Sequence, residues 1–365
     1  MSSSHNMSTS NHLSAYAAIS EAQKIAFAPV TFQACYAMRE CGLLSALYEA
    51  GRKGSCSDDL VESTGVSRYG VQLMLDFAVT LNVAELKHER YFLGKVGYYL
   101  LKDPMTRVNM DFVQDVCYLG MFKVLDSLQA GKPEGLKHFG DWPTVYEGLA
   151  SLPEQAKKSW FNFDHYYSDV AFNHALPFVF KNAPKVLLDI GGNTGRWASK
   201  CLSYNSEVKV VIVDLPGQLD VAQKNLSQVA GSERVSFQFL NLLKPEGRQL
   251  AQEADAVWMS QFLDCFSESE ILAILQLTVK TLQHHGEVFI LESYWDRQNG
   301  HQAAEFSLHA TSFYFTAIAN GNSRMYHSAV MIRLIEKAGL KVTEILDIAG
   351  TTSTVFRCRL NPSEI

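Results

Sequence analysis

The residues best placed to do chemistry are two acids, each at the end of an apolar run. Asp189 lies in Val186-Leu-Leu-Asp-Ile-Gly-Gly-Asn-Thr-Gly195, and Asp214 ends Val210-Val-Ile-Val-Asp214. An apolar run, a glycine turn, a helical pattern and a second apolar run read as the start of a βαβ unit with a nucleoside-sized site at its mouth. The glycines fall at Gly191, Gly192 and Gly195, so the G-x-G-x-x-G dinucleotide fingerprint is incomplete. A pyrophosphate seeks bare amides at a helix N-terminus. A carboxylate at Asp189, just before the turn, would repel it and attract a sulfonium or an ammonium group. S-adenosylmethionine carries both and no phosphate, and Asp214 can accept from both ribose hydroxyls. NAD, or a plain buried strand with a glycine turn, are the alternatives.

The elements that must hold these acids fit in 365 residues, enough for two domains. A 47% hydrophobic content allows a sizeable core, and a dispersed net charge of −6 argues against nucleic acid as a main partner. The seven cysteines are scattered with no C-x-x-C pair, which points to buried reduced thiols and to no zinc site. No apolar run approaches membrane-spanning length. Residues 1–13, rich in Ser, Asn and His, lack the apolar centre of a signal peptide and read as a disordered leader, so a cytoplasmic location follows by default.

Residues 14–104 read as helices ending in a small wing. Residues 27–47 are too apolar at helical spacing for a solvated helix and call for cover, most simply by a second subunit. Ser57 and the acids after it start a helix, 65–67 turn, 68–79 form the next helix, and 83–93 form a hairpin: a helix-turn-helix with a wing. Such a module can bind DNA, but only Arg68 and Gln72 on its second helix could read bases, and Asp76 opposes them. Residues 105–180 read as helical, broken at 131–133 and 140–143. From residue 181, strands at 185–190, 208–213, 234–240, 256–260 and 287–292 alternate with helices. A closing pair at 341–348 and 353–360 reads as an antiparallel hairpin. The fold class is α/β: a Rossmann-like doubly wound, seven-stranded sheet behind a mostly helical winged-helix domain, with the ligand site outside the carboxyl ends of the strands.

The motif at 187–195, the Val213-Asp-Leu-Pro216 motif and Gly339-Leu340 after an amphipathic helix resemble those of class I S-adenosylmethionine-dependent methyltransferases. More narrowly, they are similar to the small-molecule O-methyltransferases of the caffeate and bacterial polyketide-tailoring type, the aryl-polyene-associated bacterial subgroup among them. The resemblance covers nearly all the chain after the first dozen residues. It implies that the N-terminal module dimerises the enzyme, that S-adenosylmethionine is converted to S-adenosylhomocysteine without a metal, and that the acceptor is a small aromatic hydroxyl compound, free or carrier-tethered. Asp189, Gly191, Gly192, Gly195, Asp214 and Leu215 then hold the donor, with Asn241, Leu242, Ser260 and Gln261 at the ends of the third and fourth strands.

Methyl transfer to a phenol is helped by a general base, because phenoxide is the better nucleophile. In the family that base is a His past the fourth strand, and the matching position here is Asp264. An ordinary Asp near pKa 3.9 is some six units below a phenol, but burial among aromatics raises a carboxylate by up to about 3–5 units. Asp264 is therefore the expected base, with capping of the helix that starts near Ser267, or a plain loop acid, as its structural alternatives. His165 and His309 are reserves. Glu292 takes the place of the acid that orients the family's His. The aromatic helix around 159–168 resembles the wall between donor and acceptor, which assigns Phe161, Asp164 and Ser168 to the acceptor, and the helix at 304–319 adds His309 and Phe313. The alternatives are C-methylation ortho to a phenol hydroxyl and, in another class, a non-catalytic ligand-sensing winged-helix regulator.

Overall fold

Alternating apolar runs and amphipathic segments build two units, residues 1–110 and 111–365, in a computed structural model that describes residues 13–244, 249–250 and 254–361. Residues 1–12 of the expected leader lie outside the described residues.

In the first unit, α1 (Ala15–Ala26) and α2 (Ala28–Glu40) lead into α3 (Leu43–Ala50). The single long helix expected over 27–47 is broken, because Gly42 adopts φ +85° and restarts the chain as α3. Buried Leu43, Leu44 and Leu47 pack against α4 (Ser57–Thr64), α5 (Arg68–Thr80) and the hairpin of β1 (Ala84–Lys87) and β2 (Arg90–Leu93). The expected helix-turn-helix and wing are therefore present, although α4 is capped one residue early, with the Cys56 N–H donating to Asp59 Oδ2. The two base-reading candidates are engaged: Arg68 pairs with Asp58, and the Gln72 amide donates to Asp76. α6 (Lys95–Lys102) and α7 (Pro104–Phe112) follow.

The second unit begins with α8 (Val124–Ala130), α9 (Val145–Gly148) and the 26-residue α10 (Glu154–Val179). A seven-stranded sheet follows, in the order β5-β4-β3-β6-β7-β9-β8. Its strands are β3 (Val186–Ile190), β4 (Lys209–Asp214), β5 (Val235–Phe239), β6 (Ala254–Ser260), β7 (Leu282–Glu292), β8 (Leu340–Asp347) and β9 (Thr354–Leu360). The first five pair in parallel, and β9 pairs antiparallel with both β7 and β8. β3 and β4 are apolar apart from Asp189, Lys209 and Asp214 because helices cover both faces: α11 (Arg196–Tyr204), α12 (Pro216–Leu226) and α10 on one side, α13 (Glu268–Val279) and α15 (Ser328–Lys337) on the other. α14 (Gln302–Tyr314) joins α10 in a third apolar cluster. The helix expected between β5 and β6 is absent among the described residues, where 241–244 form a turn.

The chain order reverses at β3, which has β4 on one side and β6 on the other, so a crevice opens at their carboxyl ends. Past β6, the Ser267 hydroxyl caps α13, accepting from Glu270 N–H while Glu270 Oε2 accepts from Ser267 N–H at 2.8 Å. The cap thus belongs to Ser267 and not to Asp264, which lies on the turn before the helix. Ser267→Ala should cost about 1 kcal/mol, lowering the melting temperature by about 2–4 °C in calorimetry; an unchanged melting point would contradict the cap.

Candidate active site

Two adjoining cavities occupy the crevice. The larger, about 230 Å³, is bordered by the ends of β3, β4 and β6. The loop after β3 is held tight by its glycines. Gly191 sits at φ +71°, and a Cβ there would lie 2.3 Å from Phe262 Cδ2. A Cβ on Gly192 would lie 2.8 Å from Asp189 Oδ2. Bare backbone thus lies against the Asp189 carboxylate, which is 2% exposed and whose Oδ2 has no hydrogen-bond partner among the described residues. Burial, and then the nearby charge of Asp214, push Asp189 up to about 8. Asp214 accepts from the N–H of Leu215 at 2.7 Å and of Asn193 at 2.8 Å, and burial raises it to about 6 despite those bonds. Gly195, Leu215, Asn241, Leu242, Ser260 and Gln261 were expected here; all but Gly195 line the cavity, and Gly195 caps α11 behind it. Asn241 uses its side-chain carbonyl in its own turn, accepting from Leu243 N–H at 3.0 Å. The Ser260 hydroxyl is buried without a partner among the described residues.

The smaller cavity, about 50 Å³, shares Tyr146, Trp160, Asp164, Gln261 and Cys265 with the larger. Its walls are aromatic. Phe112 stacks on Phe163 at 4.0 Å and meets Tyr314 edge-on, and the Trp160 indole N–H donates to the Tyr314 hydroxyl at 2.8 Å. Two acids face this chamber. Asp264, on the turn after β6, is 3% exposed; burial raises it to about 7, the Cys265 thiol opposes that rise, and Asp164 adds to it. Asp164, on α10, is raised by burial to about 6 and accepts from the Asn193 side-chain amide at 3.2 Å. Asn193 thereby links Asp214 in one cavity to Asp164 in the other. Glu292 stands behind, lining neither cavity; its Oε1 accepts from Phe262 and Leu263 N–H at 3.0 and 2.8 Å, its Oε2 is buried without a partner among the described residues, and burial and Asp264 push it well up.

The donor set suits a cationic nucleoside: an unpartnered buried carboxylate beside a glycine cradle, and one basic guanidinium, Arg196, already paired with Asp169. Residues 157–341, just over half the chain, match the O-methyltransferase domain family, and residues 20–91 match a dimerisation2-like domain. The chain belongs to the O-methyltransferase family. It is 24% identical over 280 residues to acetylserotonin O-methyltransferase of Bos taurus, covering 73% of this chain and 76% of that protein. It is 23% identical over 234 residues to phenazine-1-carboxylate N-methyltransferase of Pseudomonas aeruginosa, covering 64% of this chain and 66% of that protein. Among solved structures, an S-adenosylmethionine-dependent methyltransferase (SibL, apo form) aligns with a TM-score of 0.71 at 20% identity, covering 94% of this chain and 99% of that one. At that identity the likeness carries the fold.

Within this methyltransferase, three expected acceptor residues lie off the chamber. Phe161 lines neither cavity and stacks on His165 at 5.8 Å. His309 is exposed and packs on Trp295, and Phe313 is 51% exposed. The chamber is instead served by Trp160, Phe163, Asp164 and Tyr167 of α10 and by Leu308, Thr311 and Tyr314 of α14. All three lie one residue of helical phase from a lining residue, and on α10 an i, i+3, i+4, i+7 stripe from Trp160 carried the signal. His165 and Ser168 line the larger cavity; His165 sits 3.7 Å from Asp164, and the Ser168 hydroxyl donates to the Asp164 carbonyl. Tyr146, whose stretch read only as helical, had no chemical signal.

Asp189 ties stability to pH. Its folded value near 8 lies above the ordinary 3.8, so the folded chain holds a proton that the unfolded chain has released. That stabilisation is full below about pH 4 and is lost as pH rises to about 8. Asp189→Asn, neutral throughout, should abolish this fall: between about pH 5 and 8 its melting temperature should gain on the order of 10 °C on the parent's, from about 4 kcal/mol at roughly 2–4 °C per kcal/mol. Parallel melting curves for the two proteins would refute the uncompensated charge.

Proposed function

We propose that this protein transfers a methyl group from S-adenosylmethionine to the hydroxyl of a small aromatic acceptor. The observation that carries the reading is the junction of the two cavities, where an acid-floored glycine cradle opens into an aromatic chamber faced by Asp264. Asp189, Gly191, Gly192, Asp214, Leu215 and Leu242 would hold the donor, Asp189 facing its positive charge and Asp214 its ribose. When bound, the donor supplies an electrophilic methyl group on a sulfonium and leaves as a neutral thioether. The protein must then align the acceptor oxygen within about 3–3.5 Å of the methyl and keep water out, which suits the stacked walls of Phe112, Phe163, Trp160 and Tyr314.

Asp264 takes the phenol proton. A carboxyl raised to about 7 is near the optimum for a base working at neutral pH. Glu292 fixes the turn that presents Asp264 by accepting from two of its backbone N–H groups. Oxygen as the nucleophile accords with a basic group facing an acceptor chamber and with the family; nothing in the geometry favours ring carbon. The acceptor, free or carrier-tethered, is read from the chamber's size and aromatic walls. Asp264→Asn should lower the turnover rate by about 10²–10⁴ while calorimetry finds S-adenosylhomocysteine uptake unchanged; an unaltered rate would end the assignment of Asp264 as base.

The organisation accompanying this reading is a dimerisation module at 14–104, a pocket wall at 105–180 and a methyl-donor domain at 181–365, in a cytoplasmic homodimer without nucleic acid or a metal. No helix of the described residues is long and apolar enough to cross a membrane. α1 buries none of its residues, and Ile25, Phe27 and Val30 are each more than half exposed. An apolar face that large needs cover, and a second copy of the same domain supplies it. Ile25→Asp with Phe27→Asp should convert a dimer to a monomer in light scattering; a wild-type protein that is monomeric at micromolar concentration would refute the dimer.

A further inference from the structure

The acceptor chamber is faced by two carboxylates and by no cation among the described residues. Asp264 and Asp164 both line it, and no Lys, Arg or His among the described residues does. Of the neutral donors nearby, the Trp160 N–H goes to Tyr314, the Gln261 amide to Ser293 Oγ at 3.3 Å and the Thr311 hydroxyl to the Ser307 carbonyl, which leaves the phenolic protons of Tyr146 and Tyr314. The Tyr146 hydroxyl, facing both cavities, is buried beside the Cys265 thiol. Arg196 borders only the larger cavity and is held by Asp169. A ligand hydroxyl entering this chamber meets carboxylates that want its proton, whereas a ligand carboxylate meets two like charges and no counter-charge.

Resting on the reading of the site as a methyltransferase acceptor pocket, we infer that the acceptor is a phenol with no anionic ring substituent, any acyl group arriving neutral as an ester, thioester or amide. Free hydroxybenzoates are excluded by charge rather than by size. Two unit charges a few ångströms apart in a partly desolvated site interact strongly enough to change affinity by roughly tenfold or more. With Asp264 raised to about 7 and Asp164 to about 6, both are charged in mildly alkaline buffer, where exclusion is strongest.

The test is a pair of ligands matched in shape, 4-hydroxybenzamide and 4-hydroxybenzoate, titrated by calorimetry at about pH 8 into full-length protein preloaded with S-adenosylhomocysteine. The amide should bind at least about tenfold more tightly than the acid, and Asp164→Asn and Asp264→Asn should each narrow the ratio. Equal or tighter binding of the carboxylate overturns the inference, as does an undiminished ratio in both variants, or no binding of either phenol by protein that has taken up S-adenosylhomocysteine. Failure to take up S-adenosylhomocysteine is a separate result: it sinks the methyl-donor reading, and this inference with it.

Discussion

Carboxyl groups held out of water with no cation of the protein's own to meet them are the constraint on which this site depends. Asp189, Asp264 and Glu292 are each nearly fully buried, and one oxygen of Asp189 and one of Glu292 have no partner among the described residues. An isolated ionised carboxylate in such surroundings costs several kcal/mol, and proteins answer that cost by proton uptake or by pairing. Here the answer is proton uptake, seen in the upward shifts of all three groups. The arrangement destabilises the empty fold and favours a ligand that brings positive charge to one cavity and a transferable proton to the other.

The fold tolerates this because large apolar clusters cover both faces of the sheet. Asp189 lies level with Trp258 across the β3–β6 ladder, and Trp258 stacks on Trp197 at 4.0 Å, so the acid sits on a rigid indole floor. Parallel pairing brings the ends of β3, β4 and β6 to one edge, and the left-handed Asn193 at φ +49° lets the loop turn back on them. Asn193 then gives its backbone N–H to Asp214 and its side-chain amide to Asp164. One residue thereby ties the donor loop to the acceptor wall on α10, and displacement of either acid is felt by the other.

How much of this was legible in the sequence follows from range. The donor cradle could be read because Asp189, the glycines and Asp214 lie within one local strand-turn-helix-strand unit, whose spacing is set by backbone geometry. The places of the strands along the chain followed from apolar runs alternating with helical stretches. The acceptor chamber was less legible, because it is assembled from α10, α14 and the segment around Tyr146, each far from the others in sequence. Aromatic abundance marked both helices, but which face turned inward depended on tertiary packing, and Phe161, His309 and Phe313 fell one position off the buried stripe. The break at Gly42 was hidden by a run of apolar residues that continues across it, so the left-handed glycine lost to hydrophobic periodicity. Asn193 sat inside a motif read for its glycines, and its amide link to α10 has no local signature.

An aspartate where the family keeps a histidine changes what its neighbour must do. A histidine that accepts a proton becomes a cation, and an ionised acid beside it stabilises that state. An aspartate that accepts a proton becomes neutral, so an ionised acid beside it favours uptake by repulsion and must itself be sheltered. Two carboxyls in one dry site cannot both be charged without large cost, and their protons come off as a pair. Glu292 meets this condition by geometry. One oxygen is fixed by the Phe262 and Leu263 amides, the other has no partner among the described residues, and the group lines neither cavity. In that position burial and Asp264 favour its protonated form, while Asp264 faces the chamber. Beside an aspartate, Glu292 is thus the anchor of the turn, while burial and the neighbouring Asp164 raise Asp264.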